Sequence, residues 1–159
     1  MMRIYYTPTD KSISTEQLVI GLYKLYCEEK GLPYNSDVKV LRTEKGKPYF
    51  DGCDVFFSVS HTNSLTAVCY APYNIGIDCE NINRKLNHAE LIKEKIYSQK
   101  EREYAADNER FLEIWVKKEA YIKYTGKGLS DIFKFDTFSL KGNFNLTRYN
   151  SHIICTYYE

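Results

Sequence analysis

Hydrophobic periodicity changes three times along this 159-residue chain, and that order of helix-type and strand-type segments limits the possible folds more than any single residue does. Residues 14–30, STEQLVIGLYKLYCEEK, carry Leu18, Leu22 and Leu25 at helical spacing, behind Ser14 and Gln17 in capping-box register. Lys30, Gly31 and Pro33 mark the end of that helix, because glycine takes the left-handed cap conformation and proline cannot continue a helix. From 38 to 80 the runs shorten to VKVL, VFFSVS, LTAVCYA and IGIDCE, divided by Gly, Pro and Asn, which reads as strands and turns. APYNIG at 71–76 predicts a hairpin that sets the last two of these strands adjacent and antiparallel. Helical signals return with a second capping box, SQKE at 98–101, and with NERFLEIWVKKEAYIKYTG at 108–126, whose apolar stripe is Phe111, Ile114, Trp115, Ile122 and, less regularly, Val116. FKFDTFSL, FNLTRY and HIICTYY predict closing strands. The order predicts an α+β fold over a single domain, 1–159, built as two similar α+β halves, approximately 1–83 and 84–159, packed as an intramolecular pseudo-dimer.

A chain that is 43% hydrophobic and 15% aromatic can bury a real core. Its 22 Lys plus Arg against 21 Asp plus Glu leave a net charge of +1, so no global field draws it to nucleic acid or an acidic membrane, and any phosphate site must be local. Cys27, Cys53, Cys69, Cys79 and Cys155 are odd in number and scattered, unlike a zinc site or a disulfide framework. With no apolar leader and no membrane-length run, the sequence predicts a cytoplasmic, soluble protein.

Two acids interrupt the strand IGIDCE. Alternation puts Asp78 and Glu80 on one face and Ile77 and Cys79 on the other. Like charges at that spacing repel, so one is protonated, or a cation or a basic side chain lies between them. All-oxygen ligation favours a hard ion such as Mg²⁺, which also binds substrate phosphates; lysines at a strand end are the alternative. Trp115, Glu119 and Lys123 fall at i, i+4 and i+8 on one helix face and offer a third acid. Glu119 and Lys123 are otherwise an exposed pair worth about 0.3–0.5 kcal/mol. Lys45 and Lys47 flank Gly46 before Pro48, and Ser58, Ser60, His61, Thr62, Asn63 and Ser64 cluster where a strand ends; both stretches suit phosphate, and ordinary turn chemistry suits them as well.

Taken together, GKPYF, FSVSHT, IGIDCE and WVKKEAYIKYTGKGL, within residues 44–130, resemble in order and spacing the motifs of the surfactin-synthetase type of 4′-phosphopantetheinyl transferase. The resemblance implies that family's fold and an enzyme that moves the phosphopantetheine arm of coenzyme A to a serine of an apo acyl- or peptidyl-carrier protein, releasing adenosine 3′,5′-bisphosphate with Mg²⁺. It implies Asp78, Glu80 and Glu119 as metal ligands and Glu119 as the base, with Asp78 and Lys123 completing the catalytic set. Lys123 is then the pyrophosphate contact, Lys47, Ser60 and His61 hold the nucleotide and its phosphates, and Lys118 is a second candidate at the same site. It also implies a docking surface for the carrier on KLNHAELIKEKIYSQKEREY, through Leu86, Leu91, Ile96 and Tyr97. Only Arg3 and Lys11 supply positive charge ahead of the first helix, fewer than in larger members, which predicts a weaker grip on coenzyme A. Cys79 replaces an apolar residue but faces away from the acids. The resemblance favours a monomer with the site in the cleft between halves. A catalytically silent protein that binds coenzyme A or a carrier, and a Mg²⁺-dependent nucleotide hydrolase, are the competing readings.

Overall fold

The computed structural model describes residues 1–128 and 135–159. The first helix, α1 (Thr15–Lys30), starts and stops where its caps dictate: the Ser14 side chain accepts from the Gln17 N–H, Gln17 returns the bond, and Gly31 at φ 62° turns the chain away. Its buried face is Val19, Tyr23, Tyr26 and Cys27 in place of the predicted leucine stripe, and Leu25 stays 41% exposed. The partner surface decides this. The helix covers an antiparallel sheet in the order β1 (Arg3–Thr7), β5 (Thr66–Ala71), β4 (Phe56–His61), where Tyr26 stacks on Tyr70 with ring centroids 5.3 Å apart and the Tyr70 hydroxyl donates to the Val19 carbonyl at 2.6 Å. A two-stranded ribbon, β2 (Lys39–Arg42) with β3 (Pro48–Asp51), adds Phe50 against Phe57 in the same core.

A second antiparallel sheet runs in the order β6 (Gly76–Asn81), β8 (His152–Tyr158), β7 (Asn143–Tyr149). Two short helices, α2 (Ala89–Ile96) and α3 (Gln99–Tyr104), lead into α4 (Asn108–Thr125), which buries Phe111, Leu112, Ile114, Val116, Ala120 and Ile122. The strand expected over 133–140 is not formed at its described end: Thr137–Ser139 is a 3-10 turn in which the Asp136 side chain caps the Phe138 N–H, and Phe133 and Lys134 lie outside the described residues. Among the described residues no helix is long and apolar enough to cross a membrane.

The expected pairing of the strands around APYNIG is also replaced. Both edges of β5 are taken, by β1 and β4, so β6 pairs with β8 instead. The free edges of β4 and β6 then face each other and run in the same direction, and serine side chains join them. The Ile77 N–H donates to Ser58 Oγ at 3.0 Å and the Cys79 N–H to Ser60 Oγ at 3.3 Å. Gly76 lets β6 enter against the backbone of α4, because a Cβ there would fall 1.9 Å from the Ala120 carbonyl oxygen. That close approach brings the acids of β6 up to the acid of α4.

Candidate active site

A cavity of about 560 Å³ opens where β4, β6, α4 and the β2–β3 turn meet, and Asp78, Glu80, Glu119, Lys123, Lys47, Ser60 and His61 all line it. Asp78 and Glu80 are each only 6% exposed. Asp78 Oδ1 accepts from Ser60 Oγ at 2.8 Å and from Lys123 Nζ at 2.7 Å. Its second oxygen, Oδ2, is buried without a hydrogen-bond partner among the described residues. Glu80 is ion-paired with Arg84. Burial, reinforced by Asp78, pushes the Glu119 carboxyl up to about 7. Burial raises Glu80 as well, against the pull of Arg84. Cys79 points to the other side, buried with Ala67, Cys69 and Ile77, as strand alternation requires.

The basic residues hold the walls together. Lys47 Nζ donates to Asn74 Oδ1 at 2.6 Å and to the Tyr124 carbonyl at 2.7 Å, so it ties the β2–β3 turn to the last turn of α4. Burial pulls its ammonium down to about 8. His61 sits exposed at the end of β4.

Lys118 does not reach this cavity. The turn of α4 that points Glu119 into the site points Lys118 the other way, where its ammonium lies 3.0 Å from Glu101 Oε2 with both side chains 0% exposed. Lys118 also donates to the Phe135 carbonyl at 2.6 Å, and Glu101 accepts from the backbone N–H groups of Ser98 and Thr137, both at 2.8 Å. Adjacent helix positions face about 100° apart, so one motif serves two sites. Tyr97 is likewise a core residue: it is 3% exposed and donates to the Phe111 carbonyl at 2.8 Å, which removes it from any docking surface. Leu129, the last residue of the helix signature, lies outside the described residues.

Lys45, singled out with Lys47 as suited to phosphate, also lines the cavity, and so do Arg42 and Arg84, which sequence reasoning missed. Neither basic residue ahead of α1, Arg3 or Lys11, lines the cavity, and Arg3 pairs with Glu29 instead. For Arg42 the signal in the sequence is its place three residues before the Lys45–Gly46–Lys47 turn.

Among the described residues, no group of three or more His, Cys, Asp or Glu side chains stands ready around a metal position. The donor chemistry nevertheless fits a hard divalent cation, because the acids offer only carboxylate oxygen and Asp78 Oδ2 is buried and unpartnered among the described residues. Asp78, Glu80 and Glu119 are the residues that could hold it.

Residues 74–157, which include β6 and α4, match the 4'-phosphopantetheinyl transferase superfamily. The chain is 31% identical over 99 residues to 4'-phosphopantetheinyl transferase gsp of Aneurinibacillus migulanus, a match covering 60% of this chain and 41% of that protein. It is 30% identical over 131 residues to 4'-phosphopantetheinyl transferase Sfp of Bacillus subtilis (strain 168), covering 76% of this chain and 56% of that protein. The matches span about half the length of these curated relatives. With its acid-bearing strand and signature helix both inside the matched segment, this chain belongs to the 4'-phosphopantetheinyl transferase superfamily.

Proposed function

We propose that this chain is a transferase of the surfactin-synthetase type, which moves the 4′-phosphopantetheine arm of coenzyme A onto a serine hydroxyl of an apo acyl- or peptidyl-carrier protein and releases adenosine 3′,5′-bisphosphate. The observation that carries the proposal is the convergence of Asp78, Glu80, Glu119 and Lys123 with Lys47 and His61 on one cavity. An acidic floor beneath a basic rim suits a ligand that brings both a diphosphate and a counter-ion. Asp78, Glu80 and Glu119 would hold Mg²⁺, which supplies neutralisation of the diphosphate and polarisation of the phosphorus under attack. Lys123 contacts the diphosphate, and Lys47 and His61 bind the nucleotide with its phosphates, with Arg42 and Lys45 extending the basic rim. The serine oxygen forms the new bond to the β-phosphorus as the bond to the bridging oxygen breaks, and the leaving bisphosphate keeps that oxygen. Glu119 takes the serine proton. A carboxyl held near 7 by burial is a base matched to neutral pH, and a neighbouring dication moves that value down.

On this reading the carrier docks along α2, where Leu91 is 46% exposed and Ile96 half-buried beside Lys93 and Lys95, cations that would steer an acidic partner. We also propose a monomer whose two sheet-and-helix units form the pseudo-dimer, working in a reducing cytoplasm that suits five free thiols. The test is incubation of the purified chain with coenzyme A, Mg²⁺ and a panel of apo carriers, read by intact carrier mass. A gain of one phosphopantetheine, lost with EDTA and with Asp78→Ala, is the expected result. Coenzyme A binding without any mass gain would instead favour the silent binding protein, and carrier-independent breakdown of coenzyme A the hydrolase.

A further inference from the structure

Ser60 makes two hydrogen bonds that its neighbour on the same strand face, Ser58, only half reproduces. Both hydroxyls accept an N–H from the edge of β6, Ser58 from Ile77 and Ser60 from Cys79. Only Ser60 also donates, to Asp78 Oδ1 at 2.8 Å. A serine hydroxyl has a single proton to give, and Ser60, buried at 5% exposure, gives it to Asp78. Lys123 reaches the same Oδ1 from α4 at 2.7 Å. Donors from two different elements thus converge on one oxygen and leave the other, Oδ2, buried and unpartnered among the described residues. A carboxylate free to turn about its last torsion would exchange the two oxygens; one gripped from both sides cannot do so at low cost.

We infer that Ser60 is a positioning residue, which with Lys123 locks Asp78 so that Oδ2 alone is presented to a divalent cation. This deepens the reading of the site given above and rests on it. Ser58 provides the internal control, because it shares the strand seam and lacks the bond to Asp78. The experiment is titration of the full chain with Mn²⁺ as the probe, followed by calorimetry or by the electron paramagnetic resonance of free Mn²⁺, with denaturant midpoints measured alongside. Ser60→Ala is expected to weaken Mn²⁺ binding by about 10–100-fold, the usual cost of removing a group that orients a metal ligand, while Ser58→Ala stays within about twofold and loses comparable stability. Ser60→Cys, which fills the same space with a weak donor, repeats the loss of affinity and covers the case in which the alanine variant does not fold. Mn²⁺ binding by Ser60→Ala or Ser60→Cys as tight as by the wild type overturns the inference alone, and so does an equal loss in Ser58→Ala. A wild-type chain that takes up no Mn²⁺ overturns both the inference and the metal-dependent reading beneath it.

Discussion

Two acid–base groups lie on opposite sides of α4 and grow from adjacent residues, Lys118 and Glu119. On the inner side, Glu101 and Lys118 are fully buried and closed on each other: the carboxylate accepts from Lys118 and two backbone N–H groups, and the ammonium also reaches the Phe135 carbonyl and lies 4.5 Å over the Phe135 ring. On the cavity side, Asp78 keeps a buried oxygen without a partner among the described residues, and Glu119 is driven to about 7 by burial and its acidic neighbour. The first group is satisfied and joins α3, α4 and the turn at Thr137. The second is satisfied only in part: Lys123 and Ser60 hold one oxygen of Asp78 and leave the other unpartnered among the described residues, which is a cost to the fold and an asset to chemistry. A charged pair therefore indicates function by what it leaves unsatisfied, not by being buried.

The sharpest break between the two sides should come from Glu119→Gln. It removes the proposed base, and turnover is expected to fall by about 10²–10⁴-fold. The same change replaces a buried acid whose ionised form is disfavoured, so the denaturant midpoint at pH 8 should stay or rise; near-normal turnover with a falling midpoint would reverse the assignment of the two sides. Lys118→Ala should do the opposite. It leaves the Glu101 charge buried without its cation, and a loss of about 3–5 kcal/mol in unfolding free energy is expected. The double variant Glu101→Gln/Lys118→Met should lose less than either single change, which a double-mutant cycle measures.

The smallest effect concerns the rim. Lys47 has a folded-state value of about 8 against an ordinary 10.5, so the unfolded chain binds the proton more tightly. Its contribution to stability therefore rises as pH climbs from 8 to 10.5 and is flat below 8. Subtracting the pH–stability curve of Lys47→Met from that of the wild type should isolate this rise; a difference curve that is level across the window would mean the ammonium is better solvated than its contacts imply.

Much of this could be read from local chemistry. Capping boxes at Ser14 and Ser98 start α1 and α3, and the glycines at 31 and 126 end α1 and α4 in left-handed conformations, because caps depend on three or four neighbouring residues. Alternation placed Asp78 and Glu80 together and turned Cys79 away. Failures occurred wherever the answer depended on a distant partner. The buried face of α1 follows the aromatic sheet beneath it, the strand after APYNIG went to β8 because β5 had no free edge, and Tyr97 went inward to the Phe111 carbonyl.

The capping boxes, the strand segments between 56 and 81, the side-by-side acids and the motifs that mark the superfamily were legible in the sequence, since these rest on spacing within a few residues. It took the tertiary structure to settle which lysine of the signature enters the cavity, which hydroxyl grips Asp78, and that Arg42 and Arg84 join the site. The physical reason is that a helix projects successive side chains in different directions, and a charge acquires its role only from what burial and distant strands bring beside it.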